Sequence, residues 1–322
     1  MSAAEEAPLL TVDGLGVSFA DGRRRLRAVH DLHLRIGVGE RLALLGESGS
    51  GKTVTAMAVA GLLPEEARIE GRIGWPAFAK APVLGRDIGV VLQDPMSSLD
   101  PVLTIGEQIG EVLVTHEGIG WGVARERATA LLRRVGIEEP ERRVDTFPHR
   151  LSGGQRQRAA IAMAIAAGPR LLVADEPTTA LDTVVQARIM ALLDELARAQ
   201  GMALLLVTHD LALASGIADR AAVLYAGRLV EVGPIDRMVK EPRHPYTRGL
   251  LASSLDFDRP APGRLEEIAG TLPDPSEPIP GCPFAARCPE VRSVCHERFP
   301  AWSGTDADGV ACVLHPPSAA GQ

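Results

Sequence analysis

The sequence contains few aromatic residues and no cysteine over most of its length. Phe, Trp and Tyr together make up 3% of the 322 residues, and all four cysteines follow residue 281. The scarcity of aromatic side chains predicts an interior built from Ala, Val and Leu. The absence of cysteine from residues 1–281 excludes disulfide bonds within that part of the chain.

Long apolar runs are absent as well. The longest, at 159–167 and 202–207, are far shorter than the roughly 18–20 residues that a membrane-spanning helix requires. The first residues, MSAAEEAPLL, carry two glutamates and lack a basic region followed by an apolar one, so they do not match a secretory signal. We therefore expect a cytosolic chain that associates with a membrane through partner proteins.

Basic residues do not outnumber acidic ones, since the formal net charge is −7. This balance argues against general electrostatic binding of nucleic acid, and we interpret the arginine run at 23–25 as a solvated hairpin tip. The sequence has no internal repeat, so each motif described below occurs once. The length predicts one large domain or about two.

Apolar runs alternate with helical segments in part of the sequence. Runs typical of buried strands lie at 40–46, 170–177 and 202–210, and helical segments follow the first two at 53–63 and 184–200. Strands that alternate with helices predict a doubly wound α/β fold with a parallel sheet. In such sheets ligands bind at the carboxyl ends of the strands.

The segment GESGSGKT at 46–53 matches the complete pattern of a phosphate-binding loop. Its glycines let backbone N–H groups converge on phosphates, while Lys52 suits the β- and γ-phosphates and the Thr53 hydroxyl suits Mg²⁺. We therefore expect a nucleoside triphosphate to bind here. The predicted contact residues are Gly46, Glu47, Ser48, Gly49, Ser50, Gly51, Lys52 and Thr53.

Polar side chains follow three other apolar runs of the sequence. Asp175 and Glu176 come at the end of one run, where Asp175 is placed to hold Mg²⁺ and Glu176 to face an attacking water. Gln93 follows another run, and its neutral amide can contact both metal and water. His209 follows a third run and can donate to a γ-phosphate. Together these residues predict a hydrolytic site.

The segment LSGGQ at 151–155 is a second candidate for anion binding. It leads into the helical segment RQRAAIAMAIAAG, so Ser152, the N–H groups of Gly153 and Gly154, and Gln155 lie at a helix N-terminus, which favours anions. One nucleotide does not need two such loops about a hundred residues apart. The family resemblance described below implies that LSGGQ meets the γ-phosphate of a nucleotide bound on another subunit.

The rest of the sequence falls into a helical part and a proline-rich tail. Helical sequence over about 94–157 is interpreted as a subdomain inserted into the sheet, and proline becomes frequent beyond 234. The tail has the spacing Cys-x5-Cys-x6-Cys-x16-Cys, which in a reducing compartment indicates a [4Fe–4S] cluster or tetrahedral zinc more than disulfides. The candidate ligands are Cys282, Cys288, Cys295 and Cys312, with His296 and His315 as possible substitutes at a zinc site.

In their order along the chain these motifs resemble the ATP-binding subunit of an ATP-binding cassette (ABC) transporter. The resemblance covers about residues 10–235 and implies a P-loop NTPase fold with a RecA-like parallel sheet core and an inserted helical subdomain. It implies an ABC nucleotide-binding domain at 1–240 and a small cysteine-containing extension at 241–322. The matching motifs are the phosphate loop, Gln93, LSGGQ, Asp175-Glu176, ALD at 180–182 and His209.

The same resemblance assigns roles to three residues. It implies that Phe19 stacks on the adenine of ATP, that Glu176 is the general base, and that Asp182 belongs to a loop coupling two ATP sites. Within the family, the segments 91–111 and 243–253 are similar to the oligopeptide and dipeptide importer branch, as is the tail. This similarity implies an iron–sulfur cluster on the four cysteines, with zinc as the alternative.

The implied protein is an ATPase that drives peptide import from the cytoplasmic face of the cell membrane. Its implied partners are a second ATPase subunit, two permease subunits and an extracytoplasmic substrate-binding protein. The resemblance favours a sister chain over a second copy of this chain as the second ATPase subunit. No nucleic acid is implied as a partner. Import of another solute such as nickel is an alternative, and a soluble cassette ATPase of DNA repair or translation is a more distant one. A P-loop kinase or GTPase gives LSGGQ and His209 no role.

Overall fold

The computed structural model describes residues 7–22, 24–94, 98–179, 181–253, 268–274, 277 and 279–317. Arg23, Ala180 and residues 95–97, which belong to segments discussed above, lie outside the described residues. The chain forms two compact units. The first comprises residues 1–37, 41–77 and 207–322, and the second comprises 38–40 and 78–206.

Strands and helices alternate along much of the chain. In order they are β1 (Leu10–Asp21), β2 (Arg24–Ile36), β3 (Arg41–Leu45), α1 (Lys52–Ala60), β4 (Arg68–Gly74), β5 (Ile88–Val91), α2 (Ile105–Glu117), α3 (Trp121–Arg134), α4 (Pro140–Arg143) and α5 (Gly153–Ala164). They continue with β6 (Leu171–Asp175), α6 (Thr183–Gln200), β7 (Ala203–Thr208), α7 (Leu211–Ser215), β8 (Arg220–Tyr225), β9 (Arg228–Pro234), α8 (Ile235–Lys240), α9 (Pro245–Ser253), α10 (Val294–Glu297), β10 (Ser303–Gly304) and β11 (Gly309–Val310).

The first unit contains an antiparallel sheet and a group of mixed strands. The antiparallel sheet has the order β2-β1-β4, and the mixed strands lie in the order β10-β11-β9-β8-β3, with β3 parallel to β8. β8 and β9 pair antiparallel. The antiparallel sheet was not predicted, because register shifts in β1 interrupt the alternation of buried and exposed residues that identifies a strand.

The second unit combines parallel strands with helices. β7, β6 and β5 lie side by side in that order, and β5 runs parallel to β6. Every residue of β6 is buried, as expected for a strand covered on both faces. Helix α5 packs against β5, α2, α3 and α6. The strands predicted at 170–177 and 202–210 and the helix predicted at 184–200 are therefore confirmed.

The cysteine-containing tail shares the hydrophobic core of the first unit. Phe284 is 2% exposed, and its ring centroid lies 5.2 Å from that of Tyr225 and 5.3 Å from that of Tyr246. These are the two tyrosines of the sequence. Cys282 and Cys295 belong to the same buried cluster. Both tyrosines and Phe284 therefore pack together where the tail meets β8 and α9.

His30 on β2 makes the stability of the first unit depend on pH. Burial, with contributions from Arg228 and Arg27, lowers the pKa of His30 from 6.5 to about 4. Below pH 6.5 the unfolded chain binds a proton that the folded chain accepts only near pH 4, so the free energy of unfolding falls as the pH falls through this window. We expect this residue to account for a loss of about 1 kcal/mol between pH 7.5 and 5.5, after allowance for solvent screening.

Urea unfolding at the two pH values measures this loss. His30→Gln removes the titrating group, so the pH-dependent change should shrink by the stated amount. His33→Gln is the matched control, because His33 lies on the same strand with a side chain 56% exposed. A His30→Gln variant with the same pH dependence as the wild type contradicts the prediction.

Candidate functional site

The phosphate loop connects β3 to α1 in the first unit. Gly46 has φ 151° and Gly51 has φ 98°, which are backbone conformations that residues with a side chain rarely adopt. A Cβ atom at Gly51 would lie 2.6 Å from the carbonyl oxygen of Ala28, and one at Gly46 would overlap the carbonyl oxygen of Leu224. The path of the loop therefore requires glycine at both positions.

Lys52 begins α1 and is 4% exposed. Its Nζ donates hydrogen bonds to the carbonyl oxygens of Gly46, at 2.8 Å, and Glu47, at 2.9 Å. The first turn of α1 contains no acidic residue. The ammonium group and the helix N-terminus consequently place positive charge at the loop, as phosphate binding requires.

Ser50 offers a further donor inside the same loop. Its side chain is fully buried, and Ser50 Oγ has no hydrogen-bond partner within the part of the chain that the structure describes. Buried hydroxyl groups are normally hydrogen-bonded, so an orphaned one is typical of a site that a ligand completes. The loop therefore fits a bound nucleotide.

Phe19 and His209 also lie in the first unit. Phe19 is half-buried on β1, opposite Leu26 of β2. His209 is exposed and directly follows β7. The next residue, Asp210, caps α7 by accepting a hydrogen bond from the N–H of Leu213 at 2.9 Å. The turn that carries His209 is thus fixed by the start of a helix.

Two predicted site residues meet in the second unit. Val91 of β5 lies opposite Ala174 of β6 in the parallel pair. Gln93 follows Val91 by two residues, and Glu176 follows Ala174 by two residues. Gln93 Nε2 donates to Glu176 Oε2 at 3.3 Å. The parallel register therefore explains why two residues 83 positions apart in sequence come together.

Glu176 is held in a strained position next to a buried acid. Asp175 is 1% exposed at the end of β6, and Glu176 has φ 43°, which is unfavourable for a residue with a side chain. Thr179 Oγ1 donates to Glu176 Oε2 at 2.8 Å. Sequence reasoning missed Thr179, although a hydroxyl residue three positions after the acid was a signal for such a turn.

LSGGQ forms the start of α5 in the second unit. Ser152 Oγ accepts from the N–H of Gln155 at 3.3 Å, and the N–H of Ser152 donates to Gln155 Oε1 at 3.1 Å. This reciprocal capping fixes the helix N-terminus. The first turn of α5 contains no acidic residue, so its positive end is not neutralised from within the helix. Anion binding at this helix N-terminus stays a prediction, with which the capped, acid-free start of α5 is compatible.

The segment around Asp182 packs on LSGGQ. A Cβ atom at Gly154 would lie 3.0 Å from Val185 Cγ1, and one at Gly153 would lie 3.5 Å from Leu181 Cδ2. Asp182 caps α6 by accepting from the N–H of Val185 at 3.0 Å. This contact was not predicted, because no spacing rule relates the two segments.

The four cysteines line a cavity in the first unit, together with His244 and Glu290. No disulfide joins them. Burial raises the pKa of Cys282 to about 11, and neighbouring cysteines add to the effect. Burial also raises the pKa of Cys288 and of Cys312. Such crowded thiols ionise readily only beside positive charge, for instance that of a metal.

The cavity does not present the ligand set of one metal ion. Among the described residues, no group of three or more His, Cys, Asp and Glu side chains is arranged to hold a metal ion. All four cysteines line the cavity, but the described residues give no support to the iron–sulfur cluster or the zinc site predicted from the sequence. His296 and His315 are both exposed, and neither lines the cavity.

A phosphate loop between a buried strand and a helix, and acids at the end of another buried strand, are features of the P-loop nucleotide-binding proteins. Comparison with known families agrees. The ABC transporter family matches residues 29–179, and the C-terminal region of the oligopeptide/dipeptide transporters matches residues 230–295. The chain belongs to the ABC transporter family, among the ATP-binding subunits of its oligopeptide and dipeptide branch.

Two relatives cover most of the chain. The oligopeptide transport ATP-binding protein OppD of Bacillus subtilis is 44% identical over 302 residues, which span 91% of this chain and 84% of that protein. The dipeptide transport ATP-binding protein DppD of Haemophilus influenzae is 43% identical over 301 residues, 91% of each chain. The similarity therefore extends through the cassette and into the tail.

A solved structure supports the fold. The ATP-binding cassette MJ0796, in a dimeric post-hydrolysis state bound to ADP and phosphate, is similar with a TM-score of 0.62 and 28% identity, over 70% of this chain and 98% of that chain. The predicted P-loop NTPase fold is thereby confirmed. In the described residues, no helix is both long enough and apolar enough to cross a membrane.

Proposed function

We propose that the chain hydrolyses MgATP to drive the import of oligopeptides or dipeptides. The pairing of Gln93 with Glu176 carries the proposal, because a carboxylate held by amide and hydroxyl donors beyond parallel strands can orient and polarise a water molecule. Peptide as the cargo is supported by the names of the relatives OppD and DppD.

Each predicted site residue receives a role in this proposal. Carboxylate, hydroxyl and amide oxygens are ligands that Mg²⁺ prefers, and backbone N–H groups with a lysine suit phosphates. The general base is Glu176. Residues 46–52 bind the phosphates. Mg²⁺ is held by Thr53, Asp175 and Gln93. His209 contacts the γ-phosphate, Phe19 stacks on adenine, and Asp182 links two ATP sites.

LSGGQ serves the nucleotide of a second ATPase subunit in this proposal. The capped, acid-free start of α5 supports an anion as its ligand, and the similar cassette MJ0796 forms a dimer with ADP and phosphate. The second subunit is a sister chain, placed head to tail. Two permease subunits and an extracytoplasmic substrate-binding protein complete the transporter, with this chain at the cytoplasmic face of the membrane.

Residues 1–240 form the nucleotide-binding domain in this proposal, with a helical subdomain at 94–157 and the extension at 241–322. The region around Gln93 faces the permeases.

Gly153→Asp tests the role of LSGGQ. A Cβ atom at Gly153 meets its nearest neighbour at an ordinary 3.5 Å, so the variant should fold, but its carboxylate repels a γ-phosphate. We expect ATP hydrolysis by the assembled transporter to fall about tenfold or more. Steady-state phosphate release measures the effect, and thermal melting checks the fold.

The matched control for this test is Gly122→Asp. Gly122 also lies in the first turn of a helix, α3, and nothing lies within 4 Å of a Cβ atom built there. Asp in that position should leave hydrolysis unchanged. Equal activity of Gly153→Asp and the control contradicts a role for LSGGQ in hydrolysis.

We also propose that the four cysteines bind a [4Fe–4S] cluster, one cysteine to each iron. The placement of all four cysteines around one cavity motivates the proposal, because four thiolates are the usual ligands of such a cluster. Its role is structural, because a metal centre ties together a tail with few regular elements.

Anaerobic purification with iron and sulfide assays and a visible absorption spectrum tests the cluster. We expect about four irons per chain and a brown protein, and Cys295→Ser should lower the iron content and the melting temperature together. A colourless chain containing stoichiometric zinc identifies the alternative, with His296 and His315 then to be tested as ligands.

A further inference from the structure

The phosphate loop is tied to the C-terminal extension through Glu47. The N–H of Glu47 donates to Tyr246 Oη at 2.7 Å. Both carboxylate oxygens of Glu47 accept from Arg287, at 2.6 and 2.9 Å. Arg287 lies 240 residues after Glu47, outside the part that matches the ABC transporter family. The loop is therefore shaped in part by residues beyond the cassette match.

Arg287 is held rigidly where it meets Glu47. Its side chain is 5% exposed, its Nε donates to the carbonyl oxygen of Ala269 at 2.8 Å, and its Nη2 donates to that of Ile268 at 2.8 Å. Its Nη1 also donates to Tyr225 Oη at 3.2 Å. A planar guanidinium satisfies all these acceptors at once, which an ammonium group cannot do.

The chain segment that Arg287 holds also touches the loop. Arg287 binds the carbonyls of Ile268 and Ala269, and a few residues further on Leu272 Cδ1 lies 3.6 Å from the position of a Cβ atom at Gly49. Gly49 is part of the phosphate loop. Two separate contacts therefore place the extension against the loop.

The charge of Glu47 explains why this contact matters for the nucleotide. Glu47 is an acid within a loop that is expected to bind a polyanion. The hydrogen bond that Lys52 Nζ donates to Glu47 goes to its backbone carbonyl oxygen and not to its carboxylate. The carboxylate instead forms a bidentate ion pair with Arg287, which offsets its repulsion of phosphates. Without that partner, Glu47 would oppose ATP binding.

We propose that Arg287 is a positioning residue for ATP binding. It holds Glu47 in place and neutralises the charge of its carboxylate. Through this ion pair the extension contributes to the affinity of the nucleotide site. Tyr246 supports the same arrangement from α9 by accepting from the Glu47 backbone. The proposal depends on the ATPase activity of the chain, and it is independent of the cargo and of any metal on the cysteines.

Arg287→Gln is the first test. We expect the Kd of the full-length chain for a fluorescent ATP analogue, and the KM for ATP of the assembled transporter, to rise about tenfold while kcat changes less than about twofold. Arg287→Lys keeps the charge without the planar fork, and its Kd should fall between those of the wild type and Arg287→Gln.

A second substitution separates charge from architecture. Glu47→Gln combined with Arg287→Gln removes the unpaired carboxylate, so the Kd should return to within about threefold of the wild type. Arg248→Gln is the control, because Arg248 pairs with Glu290 within the extension and makes no described contact with the loop. It should leave the Kd for the analogue unchanged.

The outcomes are distinct. A Kd that rises in Arg287→Gln and recovers in the double variant supports the proposal, whatever the melting temperatures. A Kd within twofold of the wild type in Arg287→Gln overturns it. A raised Kd that the double variant fails to restore also overturns it, since Arg287 would then act through the stability of the tail alone.

Discussion

Replacing Glu176 by Gln is expected to lower kcat for ATP hydrolysis at least about a hundredfold, with ATP binding retained. Gln has the shape of Glu, so the strained turn and the contacts with Gln93 and Thr179 can persist, but an amide cannot accept a proton from water. A general base contributes about 10²- to 10⁴-fold to a rate. Phosphate release by the assembled transporter measures kcat, and a fluorescent ATP analogue measures binding.

Two further variants calibrate the Glu176 result. Thr179→Val removes the hydroxyl donor at 2.8 Å and should lower kcat about fivefold, since it disturbs the orientation of the base and not its chemistry. Glu126→Gln, on the exposed face of α3, is the matched control and should have no effect. A Glu176→Gln variant within about threefold of wild-type kcat removes Glu176 from the general-base role.

Replacing Lys52 by Ala is expected to raise the Kd for ATP at least about a hundredfold. Lys52 is 4% exposed, and its Nζ is held over the loop by the carbonyls of Gly46 and Glu47. A positive charge in this position can form charge-assisted hydrogen bonds with phosphate oxygens, which are about twice as strong as neutral ones. Titration of the full-length chain with a fluorescent ATP analogue measures the loss.

Stability and binding can be separated in the Lys52 variant. Loss of the two hydrogen bonds to loop carbonyls should lower the free energy of unfolding by about 1–2 kcal/mol, so binding is to be measured well below the melting temperature. Lys240→Ala is the control, because Lys240 is an exposed lysine at the end of α8 in the same unit. Binding by Lys52→Ala as tight as by this control contradicts the account of the loop.

The sequence was most informative where local geometry determines structure. Strands β6 and β7 are buried along their whole length, so they leave continuous apolar runs that can be recognised without a structure. The phosphate loop could be predicted because its backbone requires glycine at fixed positions, such as Gly46 and Gly51. The capping of α5 by Ser152 and Gln155 is equally local.

Contacts between distant segments could not be predicted from the sequence. Arg287 meets Glu47 across 240 residues, and Leu181 packs on LSGGQ from beyond helix α5 and strand β6. Neither contact follows from a periodicity or a motif, because each depends on how the strands are ordered. The antiparallel sheet of β1, β2 and β4 was missed because bulges in β1 obscure its alternation.

The cysteines lie between these two cases. Their clustering in sequence indicated a shared site, and the structure places all four at one cavity. The spacing alone did not distinguish a cluster from zinc, because the number of ligands is the same for both. The iron, sulfide and zinc contents of the purified chain distinguish the two.

Photocrosslinking tests most directly the claim that LSGGQ serves a nucleotide bound by another subunit. The probe is an ATP analogue with a photoreactive group on the γ-phosphate, applied to the assembled transporter with Lys52→Ala in this chain. The account predicts that residues 151–155 are still labelled, because the partner subunit's phosphate loop holds that nucleotide, and that replacing the partner's own loop lysine abolishes the label. Labelling that is lost with Lys52→Ala and survives the partner's substitution would contradict the account.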